Sequence, residues 1–190
     1  MRLFVNTTRQ ADLIGPALAE AHRNVGRQLA GTIAQNLLLE DVTINHVAGF
    51  SIGVQVKSGS EPIIVAVMRA GLFVAEGIWS TLPGSSFVLY DQGKAIDTMP
   101  VVGRSVIIVD SVIDTGRSIR EVLNTVMALK PDSVVVAAVV AYRGNLEMLV
   151  DDYPGVNFHI ARISDRTYIG KGSTDTGARL FGTTTWGCEA

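Results

Sequence analysis

The sequence predicts an α/β fold: a mainly parallel central sheet flanked by helices. Three observations carry this reading. Short, continuous runs of β-branched residues recur along the chain, the pattern of strands buried on both faces. Stretches with helical spacing lie between them, as alternating β and α units require. A long amphipathic stripe precedes them all. The chain has 190 residues, which suits a single domain spanning 1–190. A chain of this size buries about 70% of its unfolded surface and needs no disulfide or structural metal to fold.

The elements follow in order. From about residue 10 to 39, Ile14, Leu18, Ala21, Val25, Leu29, Ile33 and Leu37 recur at three- and four-residue steps. An N-terminal helical segment over 1–40 is expected, with a break near Gly15-Pro16 or Gly26. His22 lies in it and reads as a solvated or interface side chain, because no acidic or His partner stands at helical spacing. Val42, Ile44 and His46, then Ile52, Val54 and Val56, alternate with polar residues, so two strands with one solvated face are expected. The buried runs are 62–68, 87–90, 105–109 and 133–141, with one more strand at 157–163. Helical stretches at 72–80, 118–129 and 145–151 separate them. Residues 91–103 and 164–177 are polar and Gly-punctuated, the latter inside a segment, 164–183, expected to cover a ligand.

Composition narrows the function. Charged residues make up 18% of the chain and the net charge is −2. Bulk-charge binding of nucleic acid is not expected. Trp79 and Trp186 are isolated and form no base-stacking series. No apolar run approaches the ~20 residues that cross a bilayer, and residues 1–6 hold no long apolar leader core. A soluble, cytoplasmic protein without membrane or nucleic-acid partners is expected. The one cysteine, Cys188, excludes an internal disulfide and a Cys-based zinc site, and reads as incidental. His46 and His159 sit in strand-like patterns and read as structural, and Arg143 as a rim or interface residue.

The strongest chemical signal is the run from Val106 to Ser118. A buried strand leads to Asp110, Ser111, Val112, Ile113 and Asp114. A Thr115-Gly116-Arg117-Ser118 turn then opens a helix. Such a turn aims free backbone N–H groups, two hydroxyls and a helix dipole at one point, which suits a phosphate. The carboxylates upstream accept hydrogen bonds from sugar hydroxyls. A phosphorylated sugar is the ligand class this local chemistry fits. The alternative is an ordinary capped turn. Neither a Walker A loop nor a dinucleotide glycine pattern is present. A second signal is Val67-Met68-Arg69-Ala70-Gly71-Leu72, where an arginine precedes a helix whose positive end favours an anion beside it; the alternative is a surface arginine paired with a carboxylate. A third is the Gly-rich stretch from Tyr168 to Thr183, whose backbone N–H and C=O groups could read a flat base; the alternative is a Gly-rich connection with no ligand.

The run around Asp110 resembles the phosphoribosyl-pyrophosphate (PRPP) signature of type I phosphoribosyltransferases. The Arg69 segment resembles the Leu-Arg-Ala-Gly-Leu of the uracil branch. Residues 168–183 resemble, without a gap, that branch's Tyr-Ile-Val-Pro-Gly-Leu-Gly-Asp-Ala-Gly-Asp-Arg-Leu-Phe-Gly-Thr. The resemblance implies a type I phosphoribosyltransferase fold with a small C-terminal base-binding hood, and PRPP and a nucleobase as substrates. It also implies Mg²⁺ held mainly through the pyrophosphate, with no dedicated protein cage, and a homodimer or higher homo-oligomer. Arg69, Asp110 and Asp114 are the implied catalytic residues. Arg69, the residues from Asp110 to Ser118, and Asp175 are the implied PRPP contacts. Ile169, Thr174, Asp175 and Thr176 are the implied base contacts.

The departures from the family pattern are Lys171, Ser173, Thr174 and Ala178, all in the base-reading stretch. Ser111 stands where the commonest pattern has a second acid, as in the uracil branch. Asp114 follows the general pattern where that branch carries Ala; it would assist the reacting nitrogen or brace the loop. The branch's Tyr-Arg-Asn becomes Tyr90-Asp91-Gln92 and loses an arginine that meets PRPP. Lys94 and Arg104 are the nearby replacements, neither aligned to it. Three readings stand: a uracil phosphoribosyltransferase, the same reaction on another or modified heterocycle, and a catalytically silent PRPP or nucleotide sensor.

Overall fold

The computed structural model describes residues 1–91 and 99–186. Lys94 and Cys188 lie outside the described residues. Helix α1 spans Arg2–Thr8 and α2 spans Gly15–Ile33, followed by a 3₁₀ turn at Ala34–Asn36. The helical stretch does break at Gly15-Pro16: residues 10–14 are not helical, and the pair opens α2. Gly15 has φ +58°, and Pro16 falls in the first turn, where its missing N–H has no intrahelical partner to lose. Gly26 does not break the helix. A Cβ there would lie 2.1 Å from the Val74 carbonyl oxygen, and one at Gly77 would lie 2.2 Å from that of Arg23. Helix α2 crosses helix α3 (Leu72–Trp79) on this glycine pair, and that packing offsets glycine's low helix propensity.

The central sheet holds β3 (Ile63–Val67), β4 (Ser86–Tyr90), β5 (Ser105–Ile113), β6 (Ser133–Tyr142) and β7 (Val156–Ser164). Its order is β4-β3-β5-β6-β7, and every pairing is parallel. Helices α1, α2 and α3 pack one face through Val5, Leu29, Ile33, Val74 and Ile78 on Ile64, Ile107 and Val135. Helices α4 (Arg117–Ala128) and α5 (Arg143–Asp152) pack the other through Ile119, Leu123 and Leu149 on Val65, Ile108 and Val136. Both faces of each central strand are covered, which is why these runs are apolar without alternation.

The topology locates the site. From β3 the chain steps outward to β4, then returns to β5 on the other side of β3. The carboxyl ends of β3 and β5 thus flank a switch in direction, where open α/β sheets hold their ligands. Arg69 follows β3, and Asp110 lies near the end of β5.

Several expectations need correction. The β5 run does not end before the acids. Asp110, Val112 and Ile113 pair with Ala138, Val140 and Ala141 of β6, so the strand carries Asp110 and Ser111 within it. The alternating segments β1 (Leu39–His46) and β2 (Gly49–Val56) pair only with each other, antiparallel. The hairpin is exposed on both faces rather than one: Phe50, Ile52 and Val54 are 84%, 68% and 64% exposed. Residues 164–177 are not all loop. A 3₁₀ turn forms at Gly172–Thr174, and α6 (Thr176–Phe181) follows because the Asp175 carboxylate accepts the Ala178 N–H at 2.6 Å. Arg104 cannot replace the missing arm arginine. It precedes β5, at the opposite end of the strand from the site, and donates to the Glu61 carbonyl (2.6 Å) and the Ser86 hydroxyl (2.8 Å). No helix among the described residues is long and apolar enough to cross a membrane.

Candidate functional site

The loop after β3 is pinned against β5. The Gly71 N–H donates to the Val67 carbonyl at 2.9 Å. A Cβ on Gly71 would sit 2.3 Å from the Val109 carbonyl oxygen and 3.1 Å from the Asp110 Cα. Only glycine allows this approach, so Gly71 sets how near Arg69 comes to Asp110. The Arg69 guanidinium is half-exposed, 3.8 Å from the Asp175 carboxylate and over the Phe181 ring at 5.9 Å.

Asp110 and Ser111 point to opposite sides of β5. Asp110 faces the Arg69 loop, and its carboxylate accepts the Ser111 N–H at 2.7 Å. Burial pushes its carboxyl up to about 7, against the lowering effect of the Ser111 and Val112 N–H groups. The Ser111 side chain is buried and turned toward α2, 2.9 Å from Nε2 of His22. It is therefore not a direct side-chain contact for a ligand beside Asp110. Nor is Ile113, which is 1% exposed in the core.

His22 is the residue the sequence reading misplaced. It is 2% exposed, not solvated. Its Nδ1 lies 2.9 Å from the Leu18 carbonyl, which can only accept. Nδ1 therefore carries the proton, and neutral Nε2 accepts the Ser111 hydroxyl. Burial first, then the charge of Arg179, lowers its pKa to about 4, although the Leu18 bond opposes the shift. Its place on the apolar stripe between Leu18 and Val25 was the available signal.

The Asp114–Ser118 turn has the expected form. Gly116 is left-handed at φ 73°, and α4 starts at Arg117. Asp114 braces the turn to the C-terminal segment, because its carboxylate accepts the Tyr168 N–H at 2.8 Å. Its carbonyl accepts the Asn145 amide at 2.5 Å. Asp114 thus serves the second of its two expected roles in this state.

The C-terminal segment folds over the site. The Tyr168 hydroxyl donates to the Thr174 carbonyl. The Thr174 hydroxyl closes a tight turn with the backbone of Lys171, at 3.0 and 2.9 Å. A Cβ on Gly170 would lie 2.8 Å from the Asp175 Cα. Helix α6 holds the segment down. Leu180 packs on Leu18 and Ala19, and Arg179 donates to the Gln10 and Leu13 carbonyls at 2.6 and 2.9 Å.

Two adjoining cavities result. One, about 300 Å³, is lined by Arg69, Asp110, Asp114, Ser118, Gly170, Asp175 and other residues of the same loops. The other, about 660 Å³, runs from Ser111 and Ile113 past His22 to Arg9, Arg162, Arg166 and Thr174. Val112, Asp114, Tyr168 and Thr176 line both. Thr115, Gly116 and Arg117 line neither, nor do Ile169, which is 70% exposed, and Lys171. Ile169, an implied base contact, thus stands outside both cavities, as does Lys171, one of the departures from the family pattern. Arg9, Arg162 and Arg166 were not foreseen, since they come from distant elements and match no motif. Arg143 lines neither cavity and is ion-paired with Asp165 at 2.6 Å. No group of three or more His, Cys, Asp or Glu with metal-site geometry occurs among the described residues.

The fold and chain have relatives. The solved structure of the AQ2163 protein from Aquifex aeolicus superposes with a TM-score of 0.81 at 21% identity, over 97% of this chain and 95% of that one. A hypoxanthine-guanine phosphoribosyltransferase from Bacillus anthracis superposes at 0.54 and 13% identity, over 88% and 89%. Both likenesses concern the fold. Among curated proteins, the uracil phosphoribosyltransferase of Staphylococcus carnosus is 27% identical over 174 residues, 84% of this chain and 83% of its own. That of Finegoldia magna is 28% identical over 183 residues, 84% and 87%. The family model described as uracil phosphoribosyltransferase matches residues 1–183, a span that takes in the Arg69 loop, the Asp110–Ser118 strand and turn, and the C-terminal cover, and on that match the chain belongs to the uracil phosphoribosyltransferase family.

Proposed function

We propose that this protein transfers a phosphoribosyl group from PRPP to a pyrimidine base, uracil being the first candidate, giving a nucleoside 5′-monophosphate and pyrophosphate. The observation that carries the reading is the convergence of Arg69, Asp110, Ser118 and Asp175 on one pocket of about 300 Å³ at the β3/β5 switch point. Asp110 would accept the ribose hydroxyls. Ser118, the residue of the turn that lines the pocket, would hold the 5′-phosphate together with the positive end of α4. Arg69 would leave Asp175 for the pyrophosphate, a stronger anion than the carboxylate it faces now. A nitrogen of the base forms the new bond to C1 of the ribose, the C1–O bond to pyrophosphate breaks, and the base releases one proton. Positive charge develops on the ribose and negative charge on the leaving pyrophosphate. Catalysis then rests on positioning and on Arg69's charge.

Asp110, Asp114 and Asp175 are the carboxylates lining this pocket, and such hard oxygen donors suit Mg²⁺ shared with substrate phosphates. When bound, the ion would neutralise phosphate charge.

The test is pyrophosphate release from PRPP and Mg²⁺ across a panel of bases, beside the Asp110→Ala variant. Turnover in the wild type and its loss in a folded Asp110→Ala protein is the expected result. Full activity in that variant would remove Asp110 from the site and sink the reading.

A further inference from the structure

The larger cavity carries more positive charge than a neutral base calls for. Arg9, Arg162, Arg166 and Arg179 line it against one carboxylate, Asp114. That carboxylate is already engaged by the Tyr168 N–H, and Arg179 is committed to the Gln10 and Leu13 carbonyls. Arg162 differs from these. It projects from β7 into the cavity wall, its Nε is shielded from solvent, and that atom has no hydrogen-bond partner. Burial, and then the like charge of Arg9, disfavour its protonated form. A guanidinium offers a rigid fork of donors that matches a carboxylate. Two such groups facing one cavity whose single lining carboxylate is engaged elsewhere form a receptor for an anion. The cavity is in the range of about 300–1,000 Å³ typical of small-ligand sites. It shares Val112, Asp114, Tyr168 and Thr176 with the pocket of Asp110. One ligand can therefore reach both.

Resting on the transfer reading above, we infer that the base this site accepts carries an anionic substituent, a carboxylate, which Arg162 and Arg9 hold in the larger cavity. The preferred substrate class is then a carboxylated pyrimidine rather than uracil itself.

The experiment has two parts. Calorimetry with PRPP and Mg²⁺ comes first; absence of binding would refute the transfer reading and this inference with it. Steady-state kinetics and direct titration then compare uracil with its 5- and 6-carboxylates, in the wild type, Arg162→Gln and Arg162→Lys. The expected result is a kcat/KM at least tenfold higher for one carboxylate than for uracil. The expected effect of Arg162→Gln is a fall of at least tenfold in that preference, with Arg162→Lys retaining part of it. Since Arg162→Gln removes like-charge repulsion, its melting temperature should not drop, which separates the effect from misfolding. PRPP binding with uracil preferred, with no carboxylate bound, or with an equal loss on both bases in Arg162→Gln would overturn the inference while leaving the transfer reading in place.

Discussion

His22 offers the sharpest physical test, because its state depends on the packing described above. Burial holds the native imidazole neutral down to about pH 4, against 6.5 for an ordinary histidine. Above pH 6.5 both native and unfolded states carry it neutral, and it makes no pH-dependent contribution. Below 6.5 the unfolded chain binds a proton that the native state refuses. Stability must then fall as pH drops, and the loss levels off below about pH 4. At about 1.4 kcal/mol per pH unit, the loss comes to about 3 kcal/mol by pH 4. That is a large part of the 5–15 kcal/mol typical of a domain. The assay is urea unfolding of wild type and His22→Gln from pH 8 to pH 4. Glutamine does not titrate, and the other titrating groups remain in both proteins, so the difference between the curves isolates His22. It should change by about 3 kcal/mol between pH 7 and pH 4, with the wild type losing more. A difference flat with pH would show that His22 takes up its proton as readily in the native state, and would refute the buried Leu18–His22–Ser111 chain.

Other outcomes follow from the same geometry. Burial raises the native Asp110 carboxyl to about 7 from 3.8, so its contribution is fully present below pH 3.8 and is lost as pH rises through about 7. Asp110→Asn should therefore melt higher than the wild type at pH 8 while losing PRPP binding, as calorimetry and thermal melts would show. Gly71→Ala places a Cβ 2.3 Å from the Val109 carbonyl oxygen, forcing the Arg69 loop off β5. PRPP affinity should drop at least tenfold by calorimetry, and an unchanged affinity would mean that the loop position is not set there. Arg179→Met removes the donors to the Gln10 and Leu13 carbonyls and should cost about 2 kcal/mol. Faster hydrogen exchange over residues 9–14 would report the loss.

Much of this molecule was legible in one dimension. The apolar runs at 62–68, 105–109 and 133–141 are uninterrupted because both faces of the parallel sheet are covered, and no antiparallel surface strand needs such a run. The Arg69 loop, the Asp110–Ser118 run and the segment from Tyr168 to Thr183 were each recognisable because loop chemistry is local. A turn that bares N–H groups to an anion needs its glycine and hydroxyls at fixed offsets. The Asp175 cap on α6 was missed as a cap, although its residue type favours that position.

The sequence by itself determined the fold class, the order of strands and helices along the chain, and three of the stretches that meet at the site. Tertiary structure alone decided what each side chain faces. Register with β6 placed Asp110 and Ser111 on opposite sides of one strand, sending one carboxylate to the pocket and one hydroxyl to His22, 89 residues away. The close crossing of α2 on α3 turned Gly26 from a helix weakness into a contact. The arginine-lined cavity arises only where α1, β7 and the C-terminal cover converge, and spacing along the chain carries no record of that convergence. Local propensity is written residue by residue, whereas burial, like-charge proximity and hydrogen-bond partnership depend on groups that only the packed chain brings together.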